Sequence, residues 1–186
     1  MTITTKTGDQ GETGRFGGAR ISKDDIIICA LGTIDELNSA IGLLVARQDL
    51  PIDAESDLKT IQATCFTIGA QLSTPKNVSK EAQDYIPRLS DDDVRFLERK
   101  IDEIEHCLGP QRKFILPGGS SAGAMCFWIR TIARRAERIA VKASYNEPVD
   151  EQILVYLNRL SDYFYVLARF LNQESGIEEV EWSGGH

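Results

Sequence analysis

A chain of 186 residues suits one domain, long enough to bury roughly 70% of its unfolded surface without staples. With 42% hydrophobic and 26% charged residues it reads as an ordinary globular protein, and its net charge of -7 speaks against a nucleic-acid partner. Cys29, Cys65, Cys107 and Cys126 form no CxxC pair and three of them fall in apolar stretches, which points to free thiols in a reducing, cytoplasmic compartment and to no zinc site. The N-terminus MTITTKTGDQ lacks the apolar segment of a signal peptide, and no run approaches the ~20 apolar residues of a membrane span. The expectation is a soluble protein with no membrane or nucleic-acid partner.

Residues 1–23 are rich in glycine, threonine and charge, with no helical period. After the apolar run Ile26 to Leu31, Thr33 and Glu36 form a T-x-x-E capping box, so a first helix is expected from Thr33 to about Gln48. A second helix fits Glu55 to Leu72, where Leu58, Ile61, Cys65, Ile68 and Leu72 share a face. Residues 73–89 read as a loop. Ser90 followed by three aspartates opens a third helix, since carboxylates favour the positive end of the helix dipole, and Gly109-Pro110 closes it. Phe114 to Gly119 is an extended connector. Ser120 and Ser121 can cap a fourth helix reaching Tyr145, and Ile153, Leu157, Leu160, Phe164, Leu167 and Leu171 give a fifth from Asp150 to Asn172. Five helices without convincing strands predict an all-α five-helix bundle over residues 24–172, preceded by a glycine-rich loop and followed by a tail over 173–186.

The fourth helix is unusual on its polar side. Arg130, Arg134 and Arg138 share one stripe at ~100° per residue, with Arg135 beside it and Glu137 among them. Like charges four residues apart repel, and a phosphate gripped by guanidinium forks would offset that repulsion. A solvated basic face with intrahelical pairs to Glu137 explains the charges equally well. On the fifth helix Asn158, Asp162, Tyr165 and Arg169 form a second polar stripe. Asn158 could bond a nucleotide and Asp162 could orient an arginine, although ordinary surface polarity produces such stripes too.

The N-terminal TKTGDQGETG spaces glycines at 8, 11 and 14 among threonines and Lys6, so its backbone N–H groups could face an anion. It has no GK[ST] ending and no preceding strand, so it is not a Walker A loop, and a flexible tail is the competing reading. Glu103 to His106 matches an E-x-x-H element of di-iron bundles, but the only other histidine is His186, and the ligand count fails. His106 reads as a helix-end residue.

Taken in order, TKTGDQGETG, SKDD, LGTIDELNSAIG, FILPGGSSAG, RTIARRAER and YLNRLSDYFYVLAR closely resemble the PduO-type ATP:corrinoid adenosyltransferases. The blocks run from about Thr5 to Arg169. The resemblance implies a five-helix bundle assembled as a homotrimer with active sites between subunits, a single domain, and transfer of the 5′-deoxyadenosyl group of ATP to cob(I)alamin. Magnesium would accompany ATP. A cobalamin reductase and an adenosylcobalamin-dependent enzyme would be the partners.

The same resemblance implies that Thr5, Lys6, Thr7, Gly8, Thr13 and Gly14 wrap the phosphates and that Lys23 adds a cation. Arg134, Arg135, Glu137, Arg138 and Asn158 would complete the nucleotide site. Asp35 would pair with Arg130 across the subunit interface, placing both with Arg134 in the catalytic set, and Phe114 would lie against the lower face of the corrin. Arg15-Phe16 departs from the family's less charged continuation after the GETG turn, and neither residues 73–89 nor the tail matches a family motif. A ligand-delivery protein without transferase activity and a structural trimer are the competing readings.

Overall fold

Asp25 rather than Thr33 starts the first helix. Its carboxylate accepts from the Ile27 N–H, and the apolar run that follows is helical because Ile27, Ala30, Ile34 and Leu37 all turn into the core. Thr33 therefore lies inside a helix, where its hydroxyl donates to the Cys29 carbonyl, 2.8 Å away. The computed structural model describes Thr4 and residues 6–18, 20–47 and 50–184. Thr5 of the expected phosphate loop and His186 lie outside the described residues.

The helices are α1 (Ile26–Val45), α2 (Ile52–Ser73), α3 (Lys80–Asp84), α4 (Asp91–Leu108), α5 (Ser121–Ser144) and α6 (Glu151–Glu174). Five are long, as expected. The sixth, α3, is a five-residue turn capped by Ser79 within the segment expected to be loop. A second correction concerns strands: β1 (Glu12–Gly14) and β2 (Arg20–Ser22) pair antiparallel, with Thr13 opposite Ile21. Three residues per strand are too few for alternation to be legible in sequence.

Helix α6 occupies the centre. Tyr156, Leu157, Leu160, Tyr163, Phe164 and Leu167 on it are fully buried, α5 and α4 pack on either side, and α1 joins α5 to α2. Lys100 of α4 meets Asp57 of α2 at 3.1 Å and closes the ring of helices. Burial pushes the Asp57 carboxyl above its ordinary range, against the opposing pull of Lys100. Cys65 and Cys126 are buried, and desolvation raises the Cys65 thiol to about 12. Cys29 is exposed despite its apolar neighbours, as is Cys107. Helix α1, with 20 residues and a mean hydropathy of 1.5, is long and apolar enough to cross a membrane, contrary to the expectation that no run approaches that length. Nine of its residues are buried against the bundle, which accounts for that composition.

Candidate active site

The N-terminal ribbon ends on a built support. Lys23 N–H donates to the Gly11 carbonyl at 2.8 Å, closing the turn that carries Gly8 to Gly11. The Lys23 Nζ lies 3.1 Å from where a Cβ on Gly8 would sit, so the lysine head and the glycine turn occupy one place, as a shared phosphate would require. Arg20 holds the turn from the other side through the Thr7 carbonyl at 2.6 Å and the Glu12 carboxylate at 3.1 Å. Lys6, Thr7, Gly14 and Lys23 are exposed, and Gly8 and Thr13 half-buried. Lys6 has a φ of 58°, rare for a non-glycine residue.

Arg15 fixes this ribbon to the bundle. Its guanidinium reaches Glu147, between α5 and α6, at 2.7 Å, and the Leu72 carbonyl at the end of α2 at 3.1 Å. The Arg15 side chain is only 8% exposed. Phe16 N–H adds a bond to the Ser73 carbonyl, so the ribbon leaves its loop at a defined angle.

The arginines of α5 divide by direction. Arg134 and Arg138 are exposed and stacked one turn apart, with Arg138 Nη1 donating to the Arg134 carbonyl at 3.1 Å. Arg135 leans the other way, onto Glu36 of α1. Glu137 accepts from Asn158 of α6 at 3.1 Å, which joins these two sequence-selected residues and leaves Glu137 ordering an asparagine rather than an arginine. Asn158 Oδ1 in turn accepts from Arg159, which also reaches Asp162 and Glu98. Contacts of the ribbon with the bundle run to Leu72, Ser73 and Glu147.

One turn before Arg134, the Arg130 guanidinium lies over the Tyr165 ring, 5.3 Å from its centroid. The two residues line an open groove of about 590 Å³ with Ile101, Gln111, Phe114 and Asp162. Tyr165, noticed in sequence only as part of a polar stripe, is fixed by its hydroxyl donating to Gln111 at 2.8 Å. Phe114 is 76% exposed, an unusual state for phenylalanine and a sign of a binding surface. Asp35 sits in a different groove, beside Ile28, Leu31, Asn38 and Phe66. Within one chain Asp35 and Arg130 therefore do not share a groove.

Sequence reasoning missed Asn172. Its Oδ1 accepts from Ser120 N–H and Oγ at 2.8 and 2.9 Å, and its Nδ2 donates to the Gly118 carbonyl at 2.9 Å. The signal was a polar residue on the apolar face of α6, four positions after Ala168.

The profile of the cobalamin adenosyltransferases matches residues 3–171. The chain belongs to that family. A corrinoid adenosyltransferase of Bacillus subtilis is 44% identical over 185 residues, covering 98% of this chain and 92% of the relative. The human corrinoid adenosyltransferase is 37% identical over 95% of this chain and 71% of its own length. Among solved structures, a phenylalanine-to-alanine variant of the Lactobacillus reuteri PduO-type ATP:corrinoid adenosyltransferase, complexed with cobalamin and ATP, superimposes with a TM-score of 0.91. It is 31% identical and covers 98% of this chain and 100% of that one. The motifs of this cobalamin adenosyltransferase family member lie on the elements just described, α1, α5, α6, the ribbon and the Phe114 connector.

Proposed function

We propose that this chain is an ATP:cob(I)alamin adenosyltransferase, forming adenosylcobalamin and tripolyphosphate. The observation that carries the reading is the continuity of two surfaces along α5. The groove holding the exposed Phe114 ring and Arg130 leads, one and two helical turns on, to the exposed side chains of Arg134 and Arg138. An apolar platform beside a cationic stripe suits a flat corrin beside a triphosphate. The solved relatives complexed with cobalamin and ATP support the same pairing of substrates.

Cob(I)alamin is itself a strong nucleophile, so the protein need supply no base. Its cobalt attacks C5′ of ATP, the C5′–O bond breaks, and the electron pair leaves with tripolyphosphate. Arg134, Arg138, Lys6, Lys23 and the N–H groups of the ribbon turn stabilise the charge gathering on that leaving group. Glu137 fixes Asn158 at the nucleotide, and Phe114 keeps water from the lower face of the corrin, which eases reduction of cobalt(II) to cobalt(I). Among the described residues no three His, Cys, Asp or Glu side chains converge as metal ligands. Magnesium bound with ATP would add to the neutralisation of charge developing on the leaving group.

The catalytic unit is a homotrimer in the cytoplasm, one domain per chain, with Asp35 of one copy meeting Arg130 of the next. One feature of the α1–α2 groove supports assembly there. Phe66, which lines it, is 73% exposed, an apolar surface that a second copy would cover. A cobalamin reductase and an adenosylcobalamin-dependent enzyme are the partners expected upstream and downstream.

The deciding experiment mixes purified protein with chemically reduced cobalamin, ATP and magnesium. Loss of the cob(I)alamin absorbance with appearance of adenosylcobalamin is expected. Binding of both ligands without any transfer would replace this reading with ligand delivery.

A further inference from the structure

The tail after α6 carries no family motif, yet it is bound to the Phe114 connector on both sides of that residue. Trp182 N–H donates to the Phe114 carbonyl at 2.8 Å, and Leu116 N–H donates to the Val180 carbonyl at 2.8 Å, with Ile115 and Glu181 bridged between them. Lys113 adds an ion pair to Glu181 at 2.6 Å. The Trp182 indole then meets the Phe114 ring edge-on, with centroids 6.5 Å apart and planes at 63°.

This strap is anchored at its root. Arg169 of α6, with a side chain 10% exposed, holds both oxygens of Glu179 at 2.9 and 3.2 Å. Ile177 N–H donates to the Asn172 carbonyl, and the Asn172 side chain grips Gly118 and Ser120 at the far end of the connector. The whole segment from Lys113 to Ser120 is thus held by α6 and its extension. Core packing does not explain the tail, because Val180 is 61% and Trp182 54% exposed, next to Leu116 at 51%.

We propose that residues 177–182 form a strap that sets the position of Phe114, with Trp182 as its positioning residue. The proposal rests on Phe114 lying below the corrin. An exposed ring on an extended connector has free rotamers and a mobile backbone, and a ring that must exclude water from cobalt can afford neither. The strap removes the backbone freedom through two hydrogen bonds and restricts the ring through the indole edge.

Trp182→Ala and Trp182→Phe in the full chain test this. Hydrogen exchange is read first, because it needs no substrate. Trp182→Ala should speed exchange of the Leu116 amide, while amides of α6 stay protected. With ATP and cob(II)alamin bound, the fraction of four-coordinate cobalt(II) seen by electron paramagnetic resonance should fall roughly two- to tenfold, the range expected for one aromatic edge contact. Trp182→Phe should recover most of it, and the ATP KM and sedimentation should not change. In a Phe114→Ala background, Trp182→Ala should add nothing further.

Unchanged Leu116 exchange, a wild-type four-coordinate fraction, an equal further loss without Phe114, or a changed ATP KM or oligomeric state would each overturn the strap. Should the wild-type protein itself make no adenosylcobalamin, the proposed function fails, and the exchange measurement still decides whether the strap exists.

Discussion

Gly123 shows how one buried side chain dictates its neighbours. A Cβ built there would lie 2.1 Å from Asn172 Oδ1 and 2.9 Å from the Ala168 carbonyl, and one on Gly119 would meet Asn172 at 2.4 Å, at a φ of 100°. Gly119 and Gly123 of the PGGSSAG stretch are therefore the space that Asn172 needs to cap the connector. Gly123→Ala should destabilise the fold by about 1–3 kcal/mol through overpacking, read as a lower urea midpoint at constant slope. A midpoint equal to wild type would mean that Asn172 can withdraw without loss. Arg134 gives the complementary case, because it is exposed and supports no packing. Arg134→Ala should leave the melting temperature in place and lower kcat/KM for ATP roughly 10- to 100-fold, the worth of one charge-assisted hydrogen bond. Unchanged KM and kcat together would remove this residue from the nucleotide site.

At the scale of elements, what was legible in sequence is what is local. Helix α4 announces itself by Ser90 and Asp93, which bond one another at 2.8 Å in the capping box, and α6 by its apolar repeat. The start of α1 was misread because Gly32-Thr33 resembles a boundary, whereas burial of both flanking stretches carries the helix through it. The ribbon and the strap were illegible for another reason: each is held by partners distant in sequence, Arg15 by Glu147 and Trp182 by Phe114. The candidate site divides in the same way. Glu137 and Asn158 were chosen separately and do meet, while the α5 arginines differ in what they touch: Arg130 lies on Tyr165, Arg135 pairs with Glu36, and Arg138 reaches only the Arg134 carbonyl among the described contacts. The Arg15 latch has a consequence for the ribbon as a unit. Arg15→Ala removes both anchors of its guanidinium and leaves Glu147, 31% exposed, without its partner. A raised ATP KM with little change in cobalamin affinity is expected, together with a stability loss of about 1–3 kcal/mol. Equal changes in both substrates would show that the latch serves the whole site rather than the ATP loop.

At the scale of the whole molecule, the two grooves of one chain are incomplete in complementary ways. The α1–α2 groove is mostly apolar, is lined by the exposed Phe66 ring and includes Asp35. The α4–α6 groove carries Arg130 beside Phe114. If one copy places its Asp35 against the Arg130 of the next, the contact is heterologous, and a closed ring follows only from a rotation that repeats around an axis. Charge reversal tests that geometry directly. Asp35→Arg sets two cations against each other and should shift the protein from trimer to monomer in sedimentation at micromolar concentration, with loss of adenosyl transfer. Arg130→Asp should do the same by opposing two carboxylates. The double reversal restores opposite charges at the same place, so trimer should return, with activity recovered only in part because Arg130 also stacks on Tyr165 beside the Phe114 groove. Recovery of assembly without recovery of activity would separate the bracing role of this pair from any direct part in transfer. Failure of the double variant to assemble, with both single variants folded, would place the interface elsewhere.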